Sequence, residues 1–302
     1  MENLANTVSS PVQPVSRSTQ IKDFLNSNNF IAKISFLFLV IFVVIVLFQL
    51  IMRYLVYLYS PPQTVKLLDG MVSATSMNVI TQDISQSPTK LVTHSSNKEG
   101  GIEFTWSVWI FIENLNPINY SSSIFHNVFF KGNYNPYSGS DSKCTGLNIP
   151  NNGPGLYIVQ DSSTSSASIQ VLMDTFQQSS SYVVGDECNV TNPVIVPHIP
   201  LNTWVNVVIK CVGNILDVYV NGVIANSVSL VGVPKQNYGD VYVAANGGFN
   251  GNIASLVYMN HGASNKEIWD IYQKGPNTKS IDPSMMKFTT PNYLSFNWYM
   301  VN

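Results

Sequence analysis

A chain of 302 residues holds one good-sized globular domain with room for a further segment. Charged residues make up only 11% of it and the formal net charge is −2, with Lys and Arg scattered rather than clustered, so it lacks the basic footprint of a nucleic-acid binder. Its three cysteines, Cys144, Cys188 and Cys211, form no CxxC pair, which removes the support for a zinc ribbon or a redox motif.

In chain order, residues 1–30 are polar and without apolar periodicity, and read as a flexible tail with a helical turn at most. Residues 31–59 follow as a transmembrane helix. Its centre, Ile34–Met52, is interrupted only by Ser35 and Gln49 and carries no charge. At about 1.5 Å per residue it matches the hydrocarbon thickness of a bilayer. Arg53 can snorkel outward, and Tyr54, Tyr57 and Tyr59 suit the membrane–water interface. Pro61 and Pro62 stop the helix because neither donates a backbone hydrogen bond. The apolar run lacks the short core and small-residue end of a cleaved signal, so an uncleaved signal-anchor is expected. Arg17, Lys22 and Lys33 precede the span and Arg53 and Lys66 follow it, which favours a cytoplasmic N-terminus. Two glycosylation sequons, at Asn119 and Asn189, lie on the C-terminal side.

Residues 60–100 read as a Ser/Thr-rich stalk with possible first strands around the Asp69-Gly70 turn. From Gly101 the pattern is strand. Phe104, Trp106, Val108, Ile110 and Ile112 alternate onto one face, and Trp109 and Phe111 make the other face partly apolar, as in a strand covered on both sides. A second strand ends at Gly132. Residues 133–200 are mostly turn-forming, broken by the strands GLYIVQ and SIQVLMDTF. Next comes a three-stranded meander, TWVNVVIKCV, ILDVYV and VIANSVSLVG, with turns at Gly213-Asn214 and Asn221-Gly222. Cys211 shares the apolar side of its strand with Val205, Val207 and Ile209, so a buried thiol is expected. Cys144 and Cys188 sit in loop-like sequence and are candidates for a disulfide in an oxidising compartment. Two further strands precede SNKEIWDIYQKG, a short helix with Ser264 and Glu267 as a capping box and Gly275 as its stop. Residues 276–302 carry a cluster of aromatics, and Trp298 is expected to pack back on the domain. Many short strands and one brief helix define an all-β, antiparallel sandwich.

The phrases FTWSVWI, Trp204 with VNVVIK, Tyr219-Val220-Asn221-Gly222, Phe249-Asn250-Gly251-Asn252-Ile253 and the helix SNKEIWDIY resemble, in that order, the laminin-G-like and concanavalin A-like jelly-roll family. The resemblance spans residues 101–275. GIEFTWSVWIFI, GVPKQNYGDVYVAANGGFNG and NYLSFNWYM also look like membrane-anchored members encoded by large DNA viruses of algae and amoebae. That resemblance implies a virion or virus-derived membrane location and a minor-capsid or other structural role among capsid proteins.

Chemistry has little support. Hydrolases of this fold need two carboxylates across a cleft, and no alternating acidic cluster exists. Glu103, Glu113, Asp217 and the adjacent pair Asp186 and Glu187 read as solvated surface. His94, His126, His198 and His261 lack metal-site spacing and there is no GxSxG elbow, so no enzyme and no cofactor are expected. Calcium stays open at the loop acids Asp141, Asp161 and Asp186, whose spacing selects none of them. Glycan recognition would use exposed aromatics beside amides: Tyr134, Asn135 and Tyr137 in one loop, or Tyr238 with Asn246 and Asn250 near the other. Packing of Tyr238 and Phe249 at the sandwich edge is the plainer alternative. Two functions follow, a structural protein tethered to a lipid bilayer and a membrane-tethered lectin.

Overall fold

The computed structural model describes residue 22 and residues 30–59, 62–86, 90–95, 101–115, 124–138, 144–149, 152–160, 166–176 and 193–281. They fall into two compact units, Met1–Pro61 and Pro62–Asn302.

The first unit is the helix α1, Phe30–Tyr59. Each of its described side chains is exposed. From Lys33 to Tyr59, 27 residues, it is long and apolar enough to cross a membrane.

The second unit is an antiparallel jelly-roll sandwich. Its strands are β1 (Thr64–Lys66), β2 (Met71–Ser73), β3 (Asn78–Ile80), β4 (Glu103–Asn114), β5 (Phe125–Lys131), β6 (Gly155–Gln160), β7 (Ala167–Leu172), β8 (Val194–Ile199), β9 (Trp204–Val212), β10 (Ile215–Val220), β11 (Val223–Ser229), β12 (Val241–Val243) and β13 (Asn250–Met259). One sheet runs β1-β13-β4-β9-β10-β11, with β2 also on β13; the other runs β3-β12-β5-β6-β7-β8. Thus β1, β2 and β3, read from sequence within a stalk, are strands of these sheets.

The core lies between the sheets. Phe104, Trp106, Val108, Ile110 and Ile112 of β4 and Val205, Val207, Ile209 and Cys211 of β9 face Phe129, Leu156, Ile158, Ile169 and Val171 of the opposite sheet. Trp106 spans the gap, its ring 5.2 Å from Phe129 and 4.9 Å from Tyr258. The outer faces are also covered, which is why β4 is apolar on both sides. The helix α2, Asn265–Lys274, closes the first sheet with Ile268 against Val208, Tyr219 and Met259. Ser264 caps it through the expected capping box with Glu267. On the second sheet Cys144 and Leu147 pack with Tyr157 and Leu172 in a satellite core.

Two local features have plain causes. Asn221 (φ 51°) and Gly222 (φ 81°) both take positive φ, as the tight β10–β11 hairpin requires. At Gly251 a Cβ would stand 1.9 Å from the Phe111 carbonyl oxygen, so the FNG phrase needs glycine for close strand approach. One sequence reading is corrected: NVTNPVIVPHIP was assigned to turns, but Val194–Ile199 is a strand. Its Pro197 is tolerated because β8 is an edge strand that pairs with β7 alone.

Candidate functional site

The two sequence-predicted aromatic and amide groups do not stay apart. β12 stops after Val243 because Ala244 turns left-handed (φ 54°), and Asn246 does the same (φ 54°). Such conformations are strained for residues with a Cβ and persist only when neighbours hold them. Here four bonds do so. The Ala245 amide donates to Asn127 Oδ1 at 3.1 Å, and His126 Nδ1–H donates to the Gly248 carbonyl at 3.0 Å. Asn246 Nδ2 donates to the Gly146 carbonyl at 3.1 Å, and the Tyr134 hydroxyl donates to Asn246 Oδ1 at 3.0 Å. Burial pushes the His126 imidazole below its usual pKa, so it serves this turn as a neutral donor.

Tyr134 is 44% exposed and its ring lies 5.4 Å from Tyr242, which stacks on buried Phe130 at 4.9 Å. The result is an aromatic column rising from the outer face of the second sheet to solvent, with the Asn246 turn beside it. Asn250 sits where β13 begins and donates to Asn114 Oδ1 at 2.8 Å. Asn135 is committed locally: its amide N–H donates to Asn148 Oδ1 at 2.6 Å and its side chain donates to the Ile149 carbonyl. Tyr137 packs on the satellite core. Of the first group, only Tyr134 therefore presents an aromatic face.

Tyr238 belongs to a separate place. It is 78% exposed, unlike Phe249, which is buried as expected of an edge-packed ring. Its hydroxyl and His94 Nε2 share a hydrogen bond of 2.9 Å at the mouth of a cleft of about 250 Å³ between the sheets. Leu91, Val92, Phe104, Trp106 and Tyr258 line this cleft, with Lys131. Lys131 was missed at the sequence level. The available signal was its position two residues after Phe129, at the end of an apolar strand and on the inward parity.

Glu103 is buried in place of the solvated surface position expected from sequence, and two of the acidic side chains accept hydrogen bonds. Glu103 Oε2 accepts the Gly262 amide at 3.4 Å and Asp217 Oδ1 accepts the Ser227 hydroxyl at 2.6 Å. Among the described residues no group of three or more His, Cys, Asp or Glu could hold a metal ion. Asp141, Asp161, Asp186, Cys188, both sequons (Asn119 and Asn189) and Trp298 lie outside the described residues. Cys144 is buried and disulfide-bonded. Cys211 is a free thiol, and burial pushes its pKa up to about 12.

No protein-family model matches the chain, and no curated protein matches it. Solved structures resemble it in part. The binding domain of botulinum neurotoxin DC in complex with rat synaptotagmin II is 11% identical, over 70% of this chain and 46% of that one, with a TM-score of 0.38. The binding domain of botulinum neurotoxin serotype D/C VPI 5993 is 11% identical over the same shares, with a TM-score of 0.37. The binding domain of botulinum neurotoxin DC in complex with SialylT is 12% identical, over 57% and 35%, with a TM-score of 0.34. This chain thus spans less than half the length of each of these solved chains.

Proposed function

We propose that the protein is a non-catalytic, membrane-tethered sandwich that binds a carbohydrate at the Tyr134–Asn246 surface. The observation that carries this is the Tyr134–Asn246 hydrogen bond, which joins a half-exposed aromatic ring to an amide on a turn held in left-handed geometry. A sugar ring offers a C–H face for the tyrosine and hydroxyls for the neighbouring amides. A preformed turn lowers the ordering cost of binding. α1 is the tether. A glycan array probed with the full chain in nanodiscs tests this. We expect a reproducible glycan set whose binding falls at least tenfold in Tyr134→Ala. Absence of any sugar binding, or full retention by that variant, would sink the assignment.

A second reading is structural packing against capsid or other virion proteins. It is favoured by apolar side chains left exposed where the edge strands β8 and β11 approach. Ile195, Val223 and Ile224 are 42%, 63% and 52% exposed, and Asn226 Nδ2 donates to the Ile195 carbonyl at 2.8 Å. Purified particles containing the protein in fixed stoichiometry, with crosslinks to capsid subunits from this side, would support it; their absence would remove it.

A further inference from the structure

Lys131 is the one lysine of the described sandwich residues that is buried, only 5% exposed, and it stands on the inner face of the second sheet. Its neighbours on that face of β5 and β12 include Phe129, Val241 and Val243 in the core. The residue therefore places an ammonium where the strand pattern calls for hydrocarbon. Burial of a charge is costly unless a counter-charge or a full set of hydrogen bonds meets it. Among the described residues Lys131 has one hydrogen-bond acceptor and a nearby carboxylate, Asp240, that forms no ion pair with it. Its ammonium donates to the Gly239 carbonyl, its acceptor among the described residues. Of its three N–H donors two are then left for other partners. None of the described carboxylates forms an ion pair with it. Asp240 is near enough to favour the charged form, yet its Oδ1 accepts the Gln82 amide at 2.7 Å.

The same lysine lines the cleft. Around it, Leu91, Val92, Phe104 and Trp106 supply apolar and aromatic wall. We propose that this cleft binds a small organic carboxylate, with the apolar body against Leu91, Val92 and Trp106 and the carboxylate on the Lys131 ammonium. The size fits: an apolar cavity of about 150 Å³ accepts benzene, so the cleft, at about 250 Å³, accommodates a ring with a short acid arm. The charge fits as well. Lys131 supplies a buried cation for a monoanion, and Lys235 also lies on the lining.

Burial holds the Lys131 amine down to about 8, so it is mostly protonated at neutral pH and a bound carboxylate would raise it. The other ionisable groups at the cleft are engaged elsewhere. The Tyr258 hydroxyl donates to the Thr93 carbonyl at 2.8 Å, and His94 and Tyr238 bond each other at the mouth. Lys235 sits 5.8 Å over the Phe176 ring.

The site is distinct from the Tyr134–Asn246 surface and does not depend on it. Titration calorimetry on the full chain in phosphatidylcholine nanodiscs, with phenylacetate as probe and phenylacetamide as its neutral twin, tests the assignment. Phenylacetate should bind saturably and at least tenfold more tightly than the amide. Lys131→Met should abolish that preference while keeping the folded circular dichroism spectrum, and Lys131→Arg should retain part of it. Equal binding of acid and amide, an undiminished preference in Lys131→Met, or no heat from phenylacetate, hexanoate or indole-3-acetate at up to about 10 mM would overturn it.

Discussion

Replacing Lys131 with methionine should stabilise the protein at neutral pH, and the gain should vanish as the pH rises. The amine titrates at about 8 in place of 10.5 because burial disfavours its charged form. At roughly 1.4 kcal/mol per pH unit this difference represents about 3 kcal/mol of folding free energy. The sign follows from proton counting. Below pH 8 the amine is protonated in both states and the folded chain carries the whole penalty. Between about 8 and 10.5 the unfolded chain binds more protons than the folded one, so wild-type stability climbs with pH. Methionine keeps most of the volume and has no charge, and it gives up the Gly239 bond, worth about 1 kcal/mol net. The variant should therefore lead by about 2 kcal/mol at pH 7 and, with the penalty gone and the Gly239 bond still missing, trail by somewhat under 1 kcal/mol near pH 10.5.

Guanidinium unfolding of both full-length chains in the same detergent, at pH 7, 8.5 and 10, reads this difference through tryptophan fluorescence. Trp106 lines the same cleft, so the probe reports from the relevant region. Every other titration is common to the two chains and cancels in the comparison. For a sandwich of this size about 2 kcal/mol corresponds to a midpoint shift of about 4–8 °C in thermal scans. A pH-independent gap, or a variant less stable than wild type at pH 7, would show that the ammonium is already compensated inside the fold. The carboxylate site would then lose its main physical argument.

Other expected outcomes follow from single contacts. Gly251→Ala would drive a Cβ to 1.9 Å from the Phe111 carbonyl at φ 155°, and should cost more than about 4 kcal/mol or prevent folding, as judged by circular dichroism. Cys211, buried and with its thiol at about 12, should resist alkylation by N-ethylmaleimide in the native protein and react once the chain is denatured; fast native labelling would contradict the packed core. Peptide mapping without reductant should recover Cys144 linked to Cys188, the pairing proposed from sequence; a Cys144 peptide with a free thiol would refute it. Ser264→Ala should cost about 1 kcal/mol by removing the cap of α2. The Glu267 carboxyl, held down to about 2 by the Ser264 backbone and hydroxyl, adds stability above pH 4.5 that fades towards pH 2. That acid loss should be smaller in Ser264→Ala, and an equal loss would detach it from the capping box.

The sequence made the sandwich legible because its information is local and periodic. The β4 alternation, the Asn221-Gly222 hairpin and the Ser264–Glu267 capping box are each set by residues within a few positions of one another. β8 escaped because Pro197 and the Asn-rich approach look like turn chemistry, and edge position is a property of the sheet rather than of the segment. The aromatic and amide residues were correctly recognised by type, but their grouping was not. Tyr134 and Asn246 are 112 residues apart in the chain and meet only because β12 neighbours β5 and the loop after β5 folds back over them. Asn135 and Asn250 carry the same chemistry and are drawn into structural bonds instead.

Lys131 shows the opposite relation between pattern and function. At an inward position of β5, a lysine opposes the burial that drives the sandwich together, and a hydrophobic residue of similar length would satisfy the core better. A buried lysine is a strong local violation of the pattern that assembles the core, and such a violation is informative. The cleft gives that violation a place where it could be useful. A charge on a buried side chain interacts with an incoming anion more strongly than a surface lysine does, because less water competes for it. The energetic penalty of the empty site and the affinity of the filled one are therefore two measures of the same desolvation. If the pH-dependent gap between wild type and Lys131→Met is large, phenylacetate should close part of it at pH 7, since ligand binding to the folded state adds stability as RT ln(1 + [L]/Kd). A stability gap that ligand leaves untouched would separate a merely tolerated buried lysine from a binding residue.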